Sequence, residues 1–62
     1  MKKFEIWATF GNGLTVKVET HTRKENAQSA IDAMNNHIRN DLAIGNGYPY
    51  GVPTYTIKYI HN

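Results

Sequence analysis

The chain has 62 residues and no cysteine. A chain of this length folds as one domain with a small core, and without cysteine it has neither a disulfide nor a thiolate metal site to stabilise it. The formal net charge of +2, from 7 basic and 5 acidic residues, excludes a strongly acidic nucleic-acid mimic. A hydrophobic content of 40% argues against wholesale disorder.

The first residues, MKKFEIWATFGNG, alternate between apolar and polar side chains. This alternation differs from the continuous apolar segment of a signal peptide. No apolar run approaches the roughly 20 residues that a membrane-spanning helix needs. Together with the lack of cysteine, these features predict a cytoplasmic protein that does not contact a membrane.

Two segments, 3–10 and 14–21, alternate with the period of a half-buried strand. Gly11-Asn12-Gly13 between them predicts a hairpin. A three-residue loop, with Gly13 in the left-handed conformation, gives these pairs on one face: Phe10–Leu14, Ala8–Val16, Ile6–Val18 and Phe4–Thr20.

The alternative two-residue loop would set Ile6 opposite Glu19 and expose a hydrophobic face, so we expect the three-residue loop. On the other face, the chosen register pairs Trp7 with Lys17. It also opposes the like charges of Glu5 and Glu19, which is mildly unfavourable.

A helix over residues 23–44 is predicted by apolar residues that recur at spacings of three and four. Thr22 and Glu25 have the spacing of a capping box at its start, and Gly45 is typical of a helix end. The apolar stripe consists of Ala27, Ala30, Ile31, Met34, Ile38 and Leu42.

Glycines and prolines predict a loop over residues 45–53, and β-branched and aromatic residues predict a last strand over 54–61. We expect Tyr55, Ile57 and Tyr59 to lie beneath the helix. The resulting architecture is α+β, with the element order ββαβ. A right-handed crossover places the last strand beside the first, giving a three-stranded antiparallel sheet of order 2-1-3. The amphipathic helix packs on one sheet face, within one domain spanning residues 1–62.

Catalytic and metal-binding patterns are weak in this sequence. Ser29 is the sole serine and has no evident oxyanion hole beside it. His37 and Asp41 have the spacing of a common exposed helix pair. His21 and His61 fall on different edge strands with Lys3 between them, and no HExxH or Cys/His pattern occurs. We therefore expect a non-enzyme with no catalytic residues, no metal and no cofactor.

Two aromatic features predict a protein partner. Trp7 and Lys17 lie on the sheet face that the helix does not cover, and tryptophan is enriched as an anchor in interfaces. Tyr48 and Tyr50 are held by neighbouring prolines, which gives contact area at low entropic cost. We expect one of these tyrosines to fold back on the core and the other to remain available for contact.

A basic edge supports a different interpretation, since six residues converge where the first strand begins and the other two strands end. Such a cluster binds phosphates or an acidic protein patch. The nucleic-acid-binding candidates are Lys2, Lys3, Arg23 and Lys24, with His21 and His61 beside them.

Over residues 4–34, the pattern FEIWATFGNGLTVKVETHTRKENAQSAIDAM resembles small phage and prophage proteins. These begin with a GNG-type hairpin and continue into a helix, and several are anti-CRISPR or other anti-defence proteins. The resemblance contains no functional motif, so no active residue carries over from it. Acidic members of the group imitate DNA, and this chain departs from them in its charge.

The resemblance implies a non-catalytic, phage-derived inhibitor in the host-cell cytoplasm. Its partner would be a host protein or complex, such as a CRISPR-Cas effector. The contact residues that we expect, Trp7, Lys17, Tyr48 and Tyr50, come from the exposed aromatic features described above and not from the resemblance. Two alternatives remain open. One is a nucleic-acid-binding module that uses the basic edge, and the other is a homodimer formed through the open sheet face.

Overall fold

A computed structural model describes residues 2–61. It contains β1 (Lys2–Thr9), β2 (Thr15–His21), α1 (Lys24–Ala43) and β3 (Thr54–His61). The sheet has the order β2-β1-β3, and β1 is antiparallel to both neighbours. The predicted α+β fold and strand order are confirmed.

The hairpin has the predicted three-residue loop. The Phe10 N–H donates to the Leu14 carbonyl at 2.8 Å, and the Gly13 N–H donates to the Phe10 carbonyl at 2.9 Å. Gly13 has φ +88°, a conformation that costs glycine little because it has no Cβ. Asn12 stabilises the turn further, since its Oδ1 accepts a 3.0 Å hydrogen bond from the Leu14 N–H.

The predicted register between β1 and β2 is correct only near this loop. Ala8 pairs with Val16 as predicted, but the register then shifts between Ile6 and Trp7. Val18 is the extra residue of a β-bulge, so that Ile6 faces Glu19. The predicted pairs beyond the shift are therefore wrong; they were Ile6–Val18, Phe4–Thr20 and Glu5–Glu19.

Electrostatics offers a physical reason for the bulge. It places Thr20 opposite Glu5 and thereby separates the two carboxylates that the regular register would oppose. The bulge moves Glu19 and His21 to the face of Ile6 and Phe4, where Glu19 Oε1 lies 2.9 Å from His21 Nε2. The bulge also reduces hydrophobic burial, because Val18 remains 42% exposed instead of lying in the core.

The core lies between the central strand and the helix. Ile6 is completely buried and forms one cluster with Ala27 and Ile31 of α1. Partly buried residues pack around this cluster: Phe4, Ala30, Met34, Tyr55 and Ile57.

The far end of the predicted stripe is less buried. Ile38 is buried, but Leu42 is 51% exposed, because the helix at 1.5 Å per residue is longer than the strands. Beneath the helix, Tyr55 and Ile57 pack against the core as predicted. Tyr59 pairs with Phe4 on the same face yet remains 52% exposed.

The two helix ends differ in how well they were predicted. Arg23 is the N-cap, and no side chain caps this end. The predicted Thr22–Glu25 capping box is therefore wrong, since Glu25 falls in the second helical position and not the third. At the other end, Gly45 has φ +88°, and the Asn46 N–H donates to the Asp41 carbonyl at 2.9 Å. This pattern is a Schellman motif, which confirms the glycine-terminated end.

Replacing Ile6 with alanine should destabilise the fold by about 2–5 kcal/mol, because it leaves a cavity in the core. Ile44→Ala is the matched control, since Ile44 is 75% exposed and should change stability by less than about 0.5 kcal/mol. Urea unfolding followed by circular dichroism measures both. Equal losses in the two variants would contradict this description of the core.

Candidate interaction surfaces

The open sheet face, which the helix leaves uncovered, is organised around Glu5. Trp7 Nε1 donates to Glu5 Oε1 at 3.1 Å, and Lys17 Nζ lies 3.5 Å from Glu5 Oε2. The pKa of Glu5 is lowered chiefly by the hydrogen bond from Trp7, with the charges of Lys17 and Lys58 adding to the effect. The predicted contact residues Trp7 and Lys17 are thus adjacent, and Glu5 holds both in place.

Apart from Ile60, which pairs with Lys3, the remainder of the open face is polar. Thr9 and Thr15 pair across the strands, with their hydroxyl oxygens 3.2 Å apart. Thr56 lies opposite Trp7, and Lys58 opposite Glu5. The open face therefore presents one half-buried tryptophan and one partly buried isoleucine among threonines and lysines.

Tyr48 is tied to the C-terminal part of α1. Its hydroxyl donates to Asp41 Oδ2 at 2.5 Å, and His37 Nε2 lies 3.3 Å from the same oxygen. The hydrogen bond to Asp41, with burial and the negative charge, raises the pKa of Tyr48 to about 12. The pKa of Asp41 is lowered, mainly because it accepts this bond. One of the two tyrosines therefore folds back as expected, but onto the helix C-terminus.

The loop that contains Tyr50 docks against the hairpin. The Gly11 N–H donates to the Tyr50 carbonyl at 2.9 Å, and the Gly51 N–H donates to the Tyr48 carbonyl at 2.9 Å. A Cβ on Gly11 would lie only 3.0 Å from the Tyr50 carbonyl oxygen. Glycine at position 11 therefore permits the close approach of these two backbones.

This docking forms a cleft, which we call the hairpin-end cleft. Its volume is about 400 Å³, and its lining residues are Phe10, Asn12, Leu14 and Tyr50. Leu14 is 54% exposed and Tyr50 68% exposed. Leu14 pairs with Phe10 as predicted, and its side chain lines the cleft together with Phe10 instead of being buried.

The opposite end of the sheet carries the basic edge. Lys2 pairs with His61 and Phe4 pairs with His21, while α1 begins at Lys24. The predicted convergence of six residues is therefore reproduced by the topology. From here on, the basic edge is called the basic end, and it consists of Lys2, Lys3, His21, Arg23, Lys24 and His61.

The four predicted contact residues do not form one surface. Trp7 and Lys17 lie on the open sheet face, Tyr50 lies at the hairpin-end cleft, and Tyr48 is bonded to Asp41. Sequence reasoning missed Phe10 and Leu14 as cleft residues. The available signal was the pair of glycine-rich turns, but their mutual docking depends on a long-range contact that alternation patterns do not encode.

Among residues 2–61, no group of three or more His, Cys, Asp or Glu side chains could hold a metal ion. In the part of the chain that the structure describes, no helix is both long and apolar enough to cross a membrane. No family model matches the chain, and neither does any curated protein or solved structure.

Removing the Tyr48 hydroxyl should lower the melting temperature at neutral pH, because Asp41 loses its strongest partner. Tyr50→Phe is the matched control, since Tyr50 is 68% exposed, and it should leave the melting temperature nearly unchanged. Thermal unfolding from acid to alkaline pH measures both variants.

The pH dependence of this difference follows from the two shifted pKa values. Because the pKa of Tyr48 is raised from its ordinary value of 10.0, the stabilisation from Tyr48 is complete below pH 10.0 and is lost as pH rises through about 12. Because the pKa of Asp41 is lowered from its ordinary value of 3.8, the stabilisation from Asp41 is complete above pH 3.8 and is lost as pH falls further. The difference in melting temperature between wild type and Tyr48→Phe should therefore be constant between pH 3.8 and pH 10.0 and should shrink outside this range. A melting-temperature difference that is the same at acid, neutral and alkaline pH would contradict the Tyr48–Asp41 hydrogen bond as its cause.

Proposed function

We propose that this chain is a non-catalytic binding protein, derived from a phage, that acts in the host cytoplasm. It inhibits a bacterial defence effector, such as a CRISPR-Cas complex, by occupying part of its surface. The observation that carries the binding role is the exposed apolar surface at the hairpin-end cleft.

The chemistry of the cleft favours a protein partner. None of its four lining residues is charged, and depletion of charge is characteristic of the centre of a protein–protein interface. Val52, 45% exposed, and Ile44, 75% exposed, add apolar surface in the segment that follows the helix. Exposed apolar surface of this kind is typical of interaction sites. We infer that the partner inserts an apolar side chain between Leu14 and Tyr50.

The cleft is also pre-organised. The Gly11–Tyr50 backbone hydrogen bond joins its two walls, and the Tyr48–Asp41 bond anchors the loop to the helix. Binding therefore orders few additional residues, which reduces the entropic cost of association. Tyr48 contributes to this function as a positioning residue, and Tyr50 as a contact residue.

The contact area that a stable complex requires is larger than the hairpin-end cleft. A standard interface buries about 800 Å² on each partner, which is about a fifth of the 4464 Å² accessible surface. The cleft alone is smaller than this, so a stable complex needs a second contact area. The open sheet face around Trp7 and Lys17 is the second area that we propose.

The identity of the target rests on the resemblance of residues 4–34 to anti-defence proteins. A chain of this size blocks a nucleic-acid channel or an assembly surface by steric occlusion and needs no chemistry of its own. Self-association through the open sheet face is the competing use of Trp7 and Lys17. A monomeric mass at high protein concentration would exclude that alternative.

The test measures plasmid interference in cells that carry an active CRISPR-Cas system, with and without the expressed chain. Wild type should relieve interference and should co-purify with the effector after nuclease treatment. Leu14→Ser combined with Tyr50→Ala should abolish relief and weaken effector binding about 30-fold or more, the size expected for loss of a central aromatic contact. Trp7→Ala combined with Lys17→Glu tests the open face in the same assay.

Leu42→Ala is the control, because it removes an apolar side chain that is 51% exposed on α1 and lies outside the surfaces proposed for binding. It should retain full relief of interference. Unchanged affinity of the Leu14/Tyr50 variant for the effector would refute the cleft as the contact surface. Wild-type protein that neither relieves interference nor binds an effector would refute the inhibitor function in that system.

A further inference from the structure

The basic end has the free positive charge that an anionic ligand requires. Four of the chain's seven Lys and Arg residues lie there, and all four are exposed. The neighbouring carboxylates are Glu19, which contacts His21 at 2.9 Å, and Glu25, which lies 3.9 Å from Arg23. Within residues 2–61, no carboxylate forms an ion pair with Lys2, Lys3 or Lys24.

Two of these cations occupy positions that the fold itself does not favour. Arg23 is the N-cap and Lys24 the first residue of α1, where the partial positive charge of the helix N-terminus repels a cation. Only Glu25 balances them in the first turn. A bound anion at this end would remove the repulsion.

An aromatic platform lies at the same end. The rings of Tyr59 and His61 are nearly parallel, with an interplanar angle of 9° and centroids 6.1 Å apart. Phe4 supports the platform from the central strand, its ring centroid 5.1 Å from that of Tyr59. Tyr59 is 52% exposed although it lies on the helix-covered face, opposite Phe4.

Exposed parallel rings beside unpaired cations are the combination that binds single-stranded nucleic acid. Bases stack on the aromatic faces, while lysine and arginine contact the phosphates. Duplex DNA offers phosphates but keeps its bases stacked within the helix, so it would use the cations alone. We propose that the basic end is a binding site for single-stranded nucleic acid, with Tyr59 and His61 as the stacking platform and Lys2, Lys3, Arg23 and Lys24 as the phosphate contacts.

This site is independent of the hairpin-end cleft, since the two lie at opposite ends of the sheet. The chain can therefore bind a protein at one end and a nucleic acid strand at the other. For an inhibitor of a nucleic-acid-guided effector, the second contact would add affinity for the loaded complex.

Fluorescence anisotropy with labelled oligo(dT) and oligo(U) of about 15 nucleotides tests the proposal. The logarithm of the association constant should fall with the logarithm of salt concentration with a slope near −3, as expected for about four phosphate contacts to a single strand. Lys2→Gln combined with Lys24→Gln should bring the slope near −1.5. The matched control, Lys17→Gln combined with Lys58→Gln, removes the same charge from the open face and should leave the slope unchanged.

A second set of variants tests the stacking platform in the same binding assay. Tyr59→Ala should weaken single-strand binding about tenfold, whereas Tyr59→Phe keeps the ring and should bind as wild type does. Tyr50→Ala, at the opposite end, should have no effect. Circular dichroism checks that each variant is folded, and the lysine variants test the site even if Tyr59→Ala unfolds.

Three outcomes would overturn the proposal. The first is the absence of measurable binding at about 50 mM salt. The second is an equal loss of binding in the two double-lysine variants, which would indicate attraction by net charge alone. The third is duplex DNA binding as tightly as a single strand, with Tyr59→Ala without effect on either.

Discussion

The contact between Ile6 in the middle of β1 and the Ala27–Ile31 segment of α1 is the one on which the other features of this fold depend. Ile6 is fully buried at that point, and β1 is the strand that pairs with both neighbours. A chain of 62 residues has material for only one such layer, so a single helix covers one sheet face. The other face, both sheet ends and most of the loop over residues 45–53 are then accessible to solvent or to partners.

The β-bulge at Val18 is a second constraint, and it acts through charge. Apolar alternation alone favours a register in which Val18 lies under the helix. That register also opposes Glu5 and Glu19 on the outer face, and the bulge avoids this opposition while exposing Val18. The shifted register moves Glu19 and His21 to the face of Phe4. A single inserted residue thereby changes which side chains surround the basic end.

Sequence patterns predicted the features that local chemistry decides. The strands, the helix, the glycine-terminated helix end and the three-residue hairpin loop each depend on residues close together in the chain, and each was predicted. The bulge was missed because it reflects a balance between burial and charge across two strands. The capping box was missed because the helix begins one residue later than its pattern requires. The cleft was missed because it forms between two turns that are distant in sequence, Gly11 and Tyr50.

The topology separates two kinds of surface chemistry. Because β1 is antiparallel to both neighbours, its first residues meet the ends of β2 and β3, while its last residues meet the hairpin turn and the start of β3. Lysines and aromatic rings are thereby collected at one end, and uncharged apolar side chains at the other. The chemistry of the two ends suits different physical forces. The basic end suits long-range attraction to phosphates, which salt weakens, and the hairpin-end cleft suits burial of apolar area, which salt affects little. Under the function that we propose, charge would draw the chain toward a nucleoprotein complex and apolar contact would then retain it there.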